Sequence, residues 1–206
     1  MGDEKRSPMS LREILKFPDP RLREISVPVT EFNEELKTLV KDMLETMYDA
    51  KGIGLAAPQI GVLQRVIVID TRPRDEKGRR YNYDEMTEME KAVEQPLVLI
   101  NPVIVKGEGK TTFDEGCLSI PGYYETVERF DKVVMKAQDV NGKEFTVETD
   151  GLLAICMQHE LDHLEGTLFV DHLSFLKSKR IKDQIKKRGY PVREEAQETT
   201  REKEPV

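Results

Sequence analysis

Apolar residues fall along this chain in two distinct rhythms. Leu36, Leu39, Val40, Met43, Leu44 and Met47 recur every three or four positions. That spacing predicts an amphipathic helix starting near Thr30 or Asn33 and ending near Gly52. Val66-Ile-Val-Ile-Asp70 is an unbroken apolar run and reads as a buried strand. Leu97–Ile100 and Val103–Val105 resume strand character, bent at Asn101-Pro102. Lys132–Gln138 and Glu144–Glu148 read as two strands joined by a hairpin turn at Asn141-Gly142. Gly151–Gly166 reads as a helix, capped at Thr149 or Asp150 and closed at Gly166 in a left-handed turn. Leu168–Val170 is short and strand-like, and Ser174–Arg188 is a last helix.

Three stretches lack this order. Residues 1–10 and 189–206 are polar and expected to be disordered, leaving 11–188 as a single domain. Residues 72–95 carry six basic and seven acidic side chains, and read as a long surface insertion holding at most a short helix. Phe17-Pro-Asp-Pro-Arg-Leu-Arg23 reads as an extended, proline-fixed arm.

Charge narrows the choice of partner. The formal net charge is −7 over 206 residues, which speaks against DNA, since phosphate binding needs a basic face. No apolar run approaches the length of a membrane span. The first residues have no apolar signal core, and the two cysteines, Cys117 and Cys156, read as reduced thiols; a cytoplasmic location is expected. The glycine-rich run Gly52–Gly61 lacks the Gly-Lys-Ser/Thr of a phosphate loop, so it predicts no nucleotide site.

The chemistry concentrates in the helix at 151–166. Of three histidines in the chain, two, His159 and His163, stand four positions apart on it, with Glu160 between them. At helical spacing the two rings lie about 40° apart and roughly 6 Å along the axis, so both reach one metal ion. Glu160 is offset to the side, where it can face a metal-bound water without ligating the ion. Two imidazoles need a third ligand. A third histidine six residues beyond His163 is missing, because Phe169 holds that place, and Glu194 and Glu195 lie in the polar tail. Cys117 remains as the best candidate, and a Cys-His-His set leaves one position open, as catalytic sites do. A sealed site that adds Cys156 is disfavoured: Cys156 and His163 are seven residues apart, about 10 Å of helical rise. Cys156 reads as a small wall residue beside the site.

Three stretches together resemble the signature motifs of the peptide deformylase family, in that family's order: Gly52-Ile-Gly-Leu-Ala-Ala-Pro-Gln59, Glu115-Gly-Cys-Leu-Ser119 and Gln158-His-Glu-Leu-Asp-His-Leu-Glu-Gly166. With the Pro18-Asp-Pro-Arg-Leu22 arm, the resemblance spans roughly residues 10–175. It implies an α+β fold, with mostly antiparallel sheets packed around the metal-binding helix and one further helix toward each end of the chain. It implies Cys117, His159 and His163 as ligands to one divalent ion, Fe(II) in the cell with zinc, nickel or cobalt as substitutes. Glu160 is implied as the acid/base, and Gln59 with the Leu118 N–H as oxyanion donors. Gly54 and Gly116 are expected beside the substrate backbone, and Ile53, Leu152, Ile155 and Cys156 around a methionine slot. The implied substrate is the N-formyl-methionine end of a newly made protein, attacked by the metal-bound water with release of formate. Many relatives carry an Arg at the substrate mouth where this chain has Gly122-Tyr-Tyr124, so contacts beyond methionine are expected to differ. A zinc peptidase and a non-catalytic metal-binding module are the rival readings. The basic 174–188 helix, with seven cations against one acid, is a candidate ribosome contact as well as an ordinary solvated helix.

Overall fold

The computed structural model describes residues 11–74, 79 and 86–190. The first helix, α1 (Glu34–Asp49), starts where the Asn33 side chain accepts the Leu36 N–H at 3.0 Å, and two glutamates fill its first turn. Its stripe of Leu36, Leu39, Val40, Met43 and Met47 is buried. After α1 come β1 (Gly54–Ala56), a 3-10 turn at Ala57–Ile60, and β2 (Val66–Ile69). A short helix, α2 (Glu88–Lys91), lies in the expected insertion. Next are β3 (Leu97–Glu108), β4 (Thr111–Cys117), β5 (Ile120–Arg129), β6 (Lys132–Gln138) and β7 (Glu144–Thr149). The described residues end with α3 (Gly151–Leu164), a 3-10 turn at Phe169–Asp171 and α4 (Phe175–Arg188). The architecture is α+β.

Every strand pairing is antiparallel. Five strands form one sheet in the order β1-β2-β3-β6-β7, and β4 and β5 form a separate hairpin. β2 explains why its sequence is apolar throughout rather than alternating. Val66 and Val68 pack with Met43 and Met47 of α1, while Ile67 and Ile69 pack with Leu153 and Met157 of α3. Helices cover both faces, so each residue of the strand is buried. α3 therefore runs through the interior, and ten of its fourteen residues are buried.

Several local expectations are corrected. β3 is one strand, not two; Asn101 takes φ 52° at a bulge and ties Val29 on both sides, accepting its N–H at 2.8 Å and donating to its carbonyl at 2.9 Å. The arm at 17–23 is not extended throughout: Pro20–Arg23 is a 3-10 turn, because the Asp19 carboxylate accepts the Arg21 N–H at 3.0 Å. Leu168–Val170 is no strand. Its residues are all buried without alternation, and Asp171 accepts the Leu168 N–H at 2.9 Å to close a turn. The β4–β5 hairpin was not foreseen, since Asp114, Glu115 and Gly116 mask its period. The expected disorder at 1–10 and from 191 onward lies outside the described residues, as does most of the insertion between 75 and 85. Tyr190, assigned to the tail, is instead packed, donating its hydroxyl to the Phe17 carbonyl at 2.5 Å.

The start of α3 is held from a distance. Neither Thr149 nor Asp150 caps it through a side chain; Asp150 instead accepts a hydrogen bond from the Thr87 hydroxyl. The free Leu153 N–H goes to Glu90 Oε1 at 2.9 Å, and Glu90 Oε2 accepts the Thr87 N–H at 2.9 Å. Glu90 is thus a buried carboxylate from α2 that caps the helix bearing both histidines. Glu90→Ala is expected to lower stability by about 1–2 kcal/mol, as loss of a helix cap does. A urea-denaturation midpoint unchanged from wild type would contradict this.

Candidate metal centre and cleft

Cys117 is the last residue of β4, and the two-residue turn Leu118-Ser119 returns the chain into β5. This hairpin end sits over α3. Cys117 Sγ lies 3.3 Å from His163 Nε2, and one ligand atom from each of Cys117, His159 and His163 falls within 4.8 Å of the others. Among the described residues this is the only such cluster of three or more His, Cys, Asp or Glu donors, and Cys156 is not in it. One sulfur and two ring nitrogens form a donor set suited to a borderline-soft divalent ion. Three protein donors leave a tetrahedral ion one further position.

The electrostatics fit a cation at the same point. Burial pushes the Cys117 thiol up, but the adjacent His163 and His159 outweigh it and bring it down to about 5. Burial lowers the His159 imidazole, yet Cys117 and Glu115 more than reverse this and raise it well above its ordinary value. The cluster thus stabilises a thiolate beside positive charge, which is what a metal would supply in place of the proton. His159 Nδ1 is occupied by Glu115 Oε2 at 2.8 Å, which leaves Nε2 as its ligating nitrogen.

Glu115 and Arg129 had no role in the sequence reading, although Glu115 lies inside a quoted motif. Arg129 grips Glu115 with two nitrogens, at 2.6 and 2.9 Å, and reaches Asp162 at 2.7 Å; Asp162 in turn meets His172 at 2.7 Å. Burial raises the Glu115 carboxyl, but Arg129 and His159 outweigh it and hold it down at about 2. The line of charges ties β4, β5 and α3 together behind the cluster. The signal that might have revealed it was one buried-type charge, Arg129, ending an otherwise ordinary strand.

A cleft of about 1060 Å³ opens onto the cluster. Of the residues singled out from the sequence, Ile53, Gly54, Gln59, Gly116, Cys117, Leu118, Leu152, Ile155, Cys156, His159 and Glu160 all line it. His163 lies behind the wall, 2% exposed. Gln59 is fixed at both ends: Oε1 accepts the Ala56 N–H at 2.9 Å, and Nε2 donates to Ser119 Oγ at 3.1 Å and points toward Cys117 Sγ at 3.6 Å. Ser119, another residue without an assigned role, also donates its N–H to Cys117 Sγ at 3.4 Å.

Glu160 is buried, and its Oε2 has no hydrogen-bond partner among the described residues. An unpartnered buried carboxylate is costly and marks a place where water or a ligand proton is received. Burial pushes Glu160 up to about 7, with His159 and His163 acting in the opposite sense. It lies against Gly54, where a Cβ would collide with its carboxylate and come within 2.8 Å of Cys156 Sγ. The glycine therefore makes room for the carboxylate.

Comparison with known proteins gives a consistent picture. The family model for polypeptide deformylase matches residues 11–179. A peptide deformylase of Alkalilimnicola ehrlichii is 51% identical over 179 residues, covering 87% of this chain and 91% of that protein. One from Neisseria meningitidis is 49% identical over 181 residues, covering 87% and 97%. Among solved structures, a peptide deformylase from Legionella pneumophila aligns with TM-score 0.72 and 44% identity over 95% of this chain and 100% of that one. One from Ehrlichia chaffeensis in complex with actinonin aligns with TM-score 0.73 and 36% identity, over 87% and 99%.

The Glu115 contact sets a quantitative expectation. Glu115→Ala frees the His159 ring to turn and removes the partner of its N–H. Metal affinity, measured by competition with a chelator, should fall about 10- to 100-fold. Unchanged affinity would show that Glu115 does not orient a ligand.

Proposed function

This chain belongs to the peptide deformylase family, metal-dependent hydrolases that remove the N-formyl group from nascent peptides, and on that premise we propose how its residues divide the work. The observation that carries the reading is the convergence of one thiolate and two imidazoles in a cleft that also holds the unpartnered Glu160 carboxylate. Cys117, His159 and His163 hold one divalent ion. When bound, such an ion would supply Lewis-acid chemistry and a water activated near neutral pH. We take it to be Fe(II) in the cell, as the family resemblance implies; the mixed thiolate and imidazole donors accommodate iron, zinc, nickel or cobalt alike.

Glu160 accepts the proton of the attacking water and passes it to the departing amine. Burial, which raises the proton affinity of Glu160, suits a carboxyl that both takes and gives a proton. Oxygen adds to the formyl carbon, the carbon–nitrogen bond breaks, and formate and a free amine leave. Gln59 Nε2 and the Leu118 N–H face the oxyanion that forms in between; such donors are worth about 3–4 kcal/mol each. The Gln59 amide cannot turn away, because Ala56 holds its oxygen. The methionine side chain enters the slot formed by Ile53, Leu152, Ile155 and Cys156. The peptide backbone runs past Gly54 and Gly116, which both line the cleft.

No described helix is long and apolar enough to cross a membrane. We place the protein in the cytoplasm, where reduced thiols persist; Cys117 and Cys156 are not joined in a disulfide. We further propose that α4 contacts ribosomal RNA through Arg180, Lys186, Lys187 and Arg188, which form no ion pair among the described residues, unlike Lys177, Lys179 and Lys182. Co-sedimentation with ribosomes that weakens as salt rises is expected; none even at low salt would remove the contact.

The deciding experiment uses anaerobically purified protein. A formyl-Met dipeptide should release formate, and the same peptide without formyl should remain intact. Cleavage of an internal peptide bond irrespective of formyl would instead indicate a peptidase. Glu160→Ala should keep its metal and lose at least about 100-fold in kcat; a near-normal rate would refute its role.

A further inference from the structure

The chain leaves α4 through Gly189, which takes φ 71° and donates its N–H to the Ile185 carbonyl at 2.9 Å. A glycine in this left-handed conformation lets the chain turn away sharply from the helix end. It brings Tyr190 to the wall of the cleft. α4 is held on the same side, with Ile181 and Ile185 packed in one cluster with Ile120 and Val127 of β5. The Tyr190 ring meets Tyr123 edge-on with centroids 6.3 Å apart, and Lys16 Nζ lies 5.8 Å from its centre. Its hydroxyl donates to the Phe17 carbonyl and lies 3.4 Å from the Ser119 carbonyl oxygen.

Phe17 is one end of a short backbone crossbar. Its N–H donates to the Ser119 carbonyl at 2.9 Å, and the Leu15 N–H donates to the Gln59 carbonyl at 2.8 Å. Residues 15–17 therefore span from Gln59 to the Leu118-Ser119 turn. Gln59 carries one assigned oxyanion donor, and Leu118, beside Ser119, carries the other. Ser119 is fully buried, and its Oγ also accepts from Gln59 Nε2 at 3.1 Å. The two donors are thus joined through the Ser119 side chain and again through the crossbar.

We propose that Tyr190 is a positioning residue whose hydroxyl fastens the 15–17 crossbar and, through it, sets the two oxyanion donors. The inference rests on the deformylase reading, which assigns those donors. Such groups work only when aimed at the place where charge develops, and a shift of about 1 Å can cost about 100-fold in rate. Loss of the hydroxyl takes a hydrogen bond from Phe17 and loosens the crossbar at its Ser119 end. The ring contact with Tyr123 survives in phenylalanine, so the oxygen can be tested by itself.

The test compares Tyr190→Phe with wild type on a formyl-Met peptide, with rates divided by bound metal. kcat should fall about 5- to 20-fold while KM stays within about twofold, because the donors act in the transition state and not on the bound methionine. Tyr190→Ala, which also removes the ring, should fall at least as far. Metal affinity by chelator competition should match wild type. A kcat per bound metal equal to wild type in Tyr190→Phe would overturn the proposal, whatever the change in stability. A fall in kcat matched by weaker metal binding would overturn it too, since the ligands and not the donors would then have moved. Both results leave the deformylase reading in place. Wild-type protein that turns over no formyl-Met peptide would overturn that reading, and this inference with it.

Discussion

One buried carboxylate joins the two halves of the site. Glu115 comes from the hairpin that carries Cys117, and it touches His159 on the helix that carries the other two donors. Arg129 neutralises it from the neighbouring strand. Without that link, the sulfur on β4 and the two imidazoles on α3 would be positioned only by contacts farther from the donors, such as Arg129 with Asp162 and the Phe130 backbone with Gln158. Burying such charges is expensive, and an arrangement of this kind is kept together only when every partner is present. Arg129 is 6% exposed and Glu115 4%, so removing either leaves the other buried with one partner fewer, Arg129 with Asp162 and Glu115 with His159. The same carboxylate selects which nitrogen of His159 faces the cleft. Structure and chemistry therefore rest on one pair of contacts.

The other constraint is space. β2 is covered on both faces, which forces α3 into the interior and brings Glu160 against the β1 segment. Only glycine at position 54 leaves room for that carboxylate. Glu160 is thus driven up in proton affinity by the packing that forms the fold, while the cleft keeps a route to it. Glu90 completes the support from below by capping α3 at a point where no neighbouring side chain does so.

Much of this was legible in the amino-acid order. The α1 stripe, the buried β2 run and the His159–His163 spacing follow from helical and strand periods, which need no tertiary context. The Cys117 ligand followed from elimination and from motif resemblance, not from geometry. What the sequence hid were contacts made at long range. Glu90 caps a helix more than sixty positions away, and a cap from another element leaves no local signal. Glu115 and Arg129 look like surface charges on a short strand until the strand is seen to pack on α3. Leu168–Val170 was misread because three consecutive buried apolar residues fit a tight turn and a strand equally well, and only the Asp171 side chain decides between them. Tyr190 looked like part of a polar tail because the residues beyond it are charged.

The account stands or falls on a sulfur and two imidazoles meeting at one ion. X-ray absorption at the metal edge of zinc-loaded protein measures that directly. The account predicts one sulfur scatterer at about 2.3 Å and two imidazole nitrogens at about 2.0–2.1 Å, with the remaining shell filled by oxygen. A shell of nitrogen and oxygen with no sulfur, or one with two sulfurs, would contradict it.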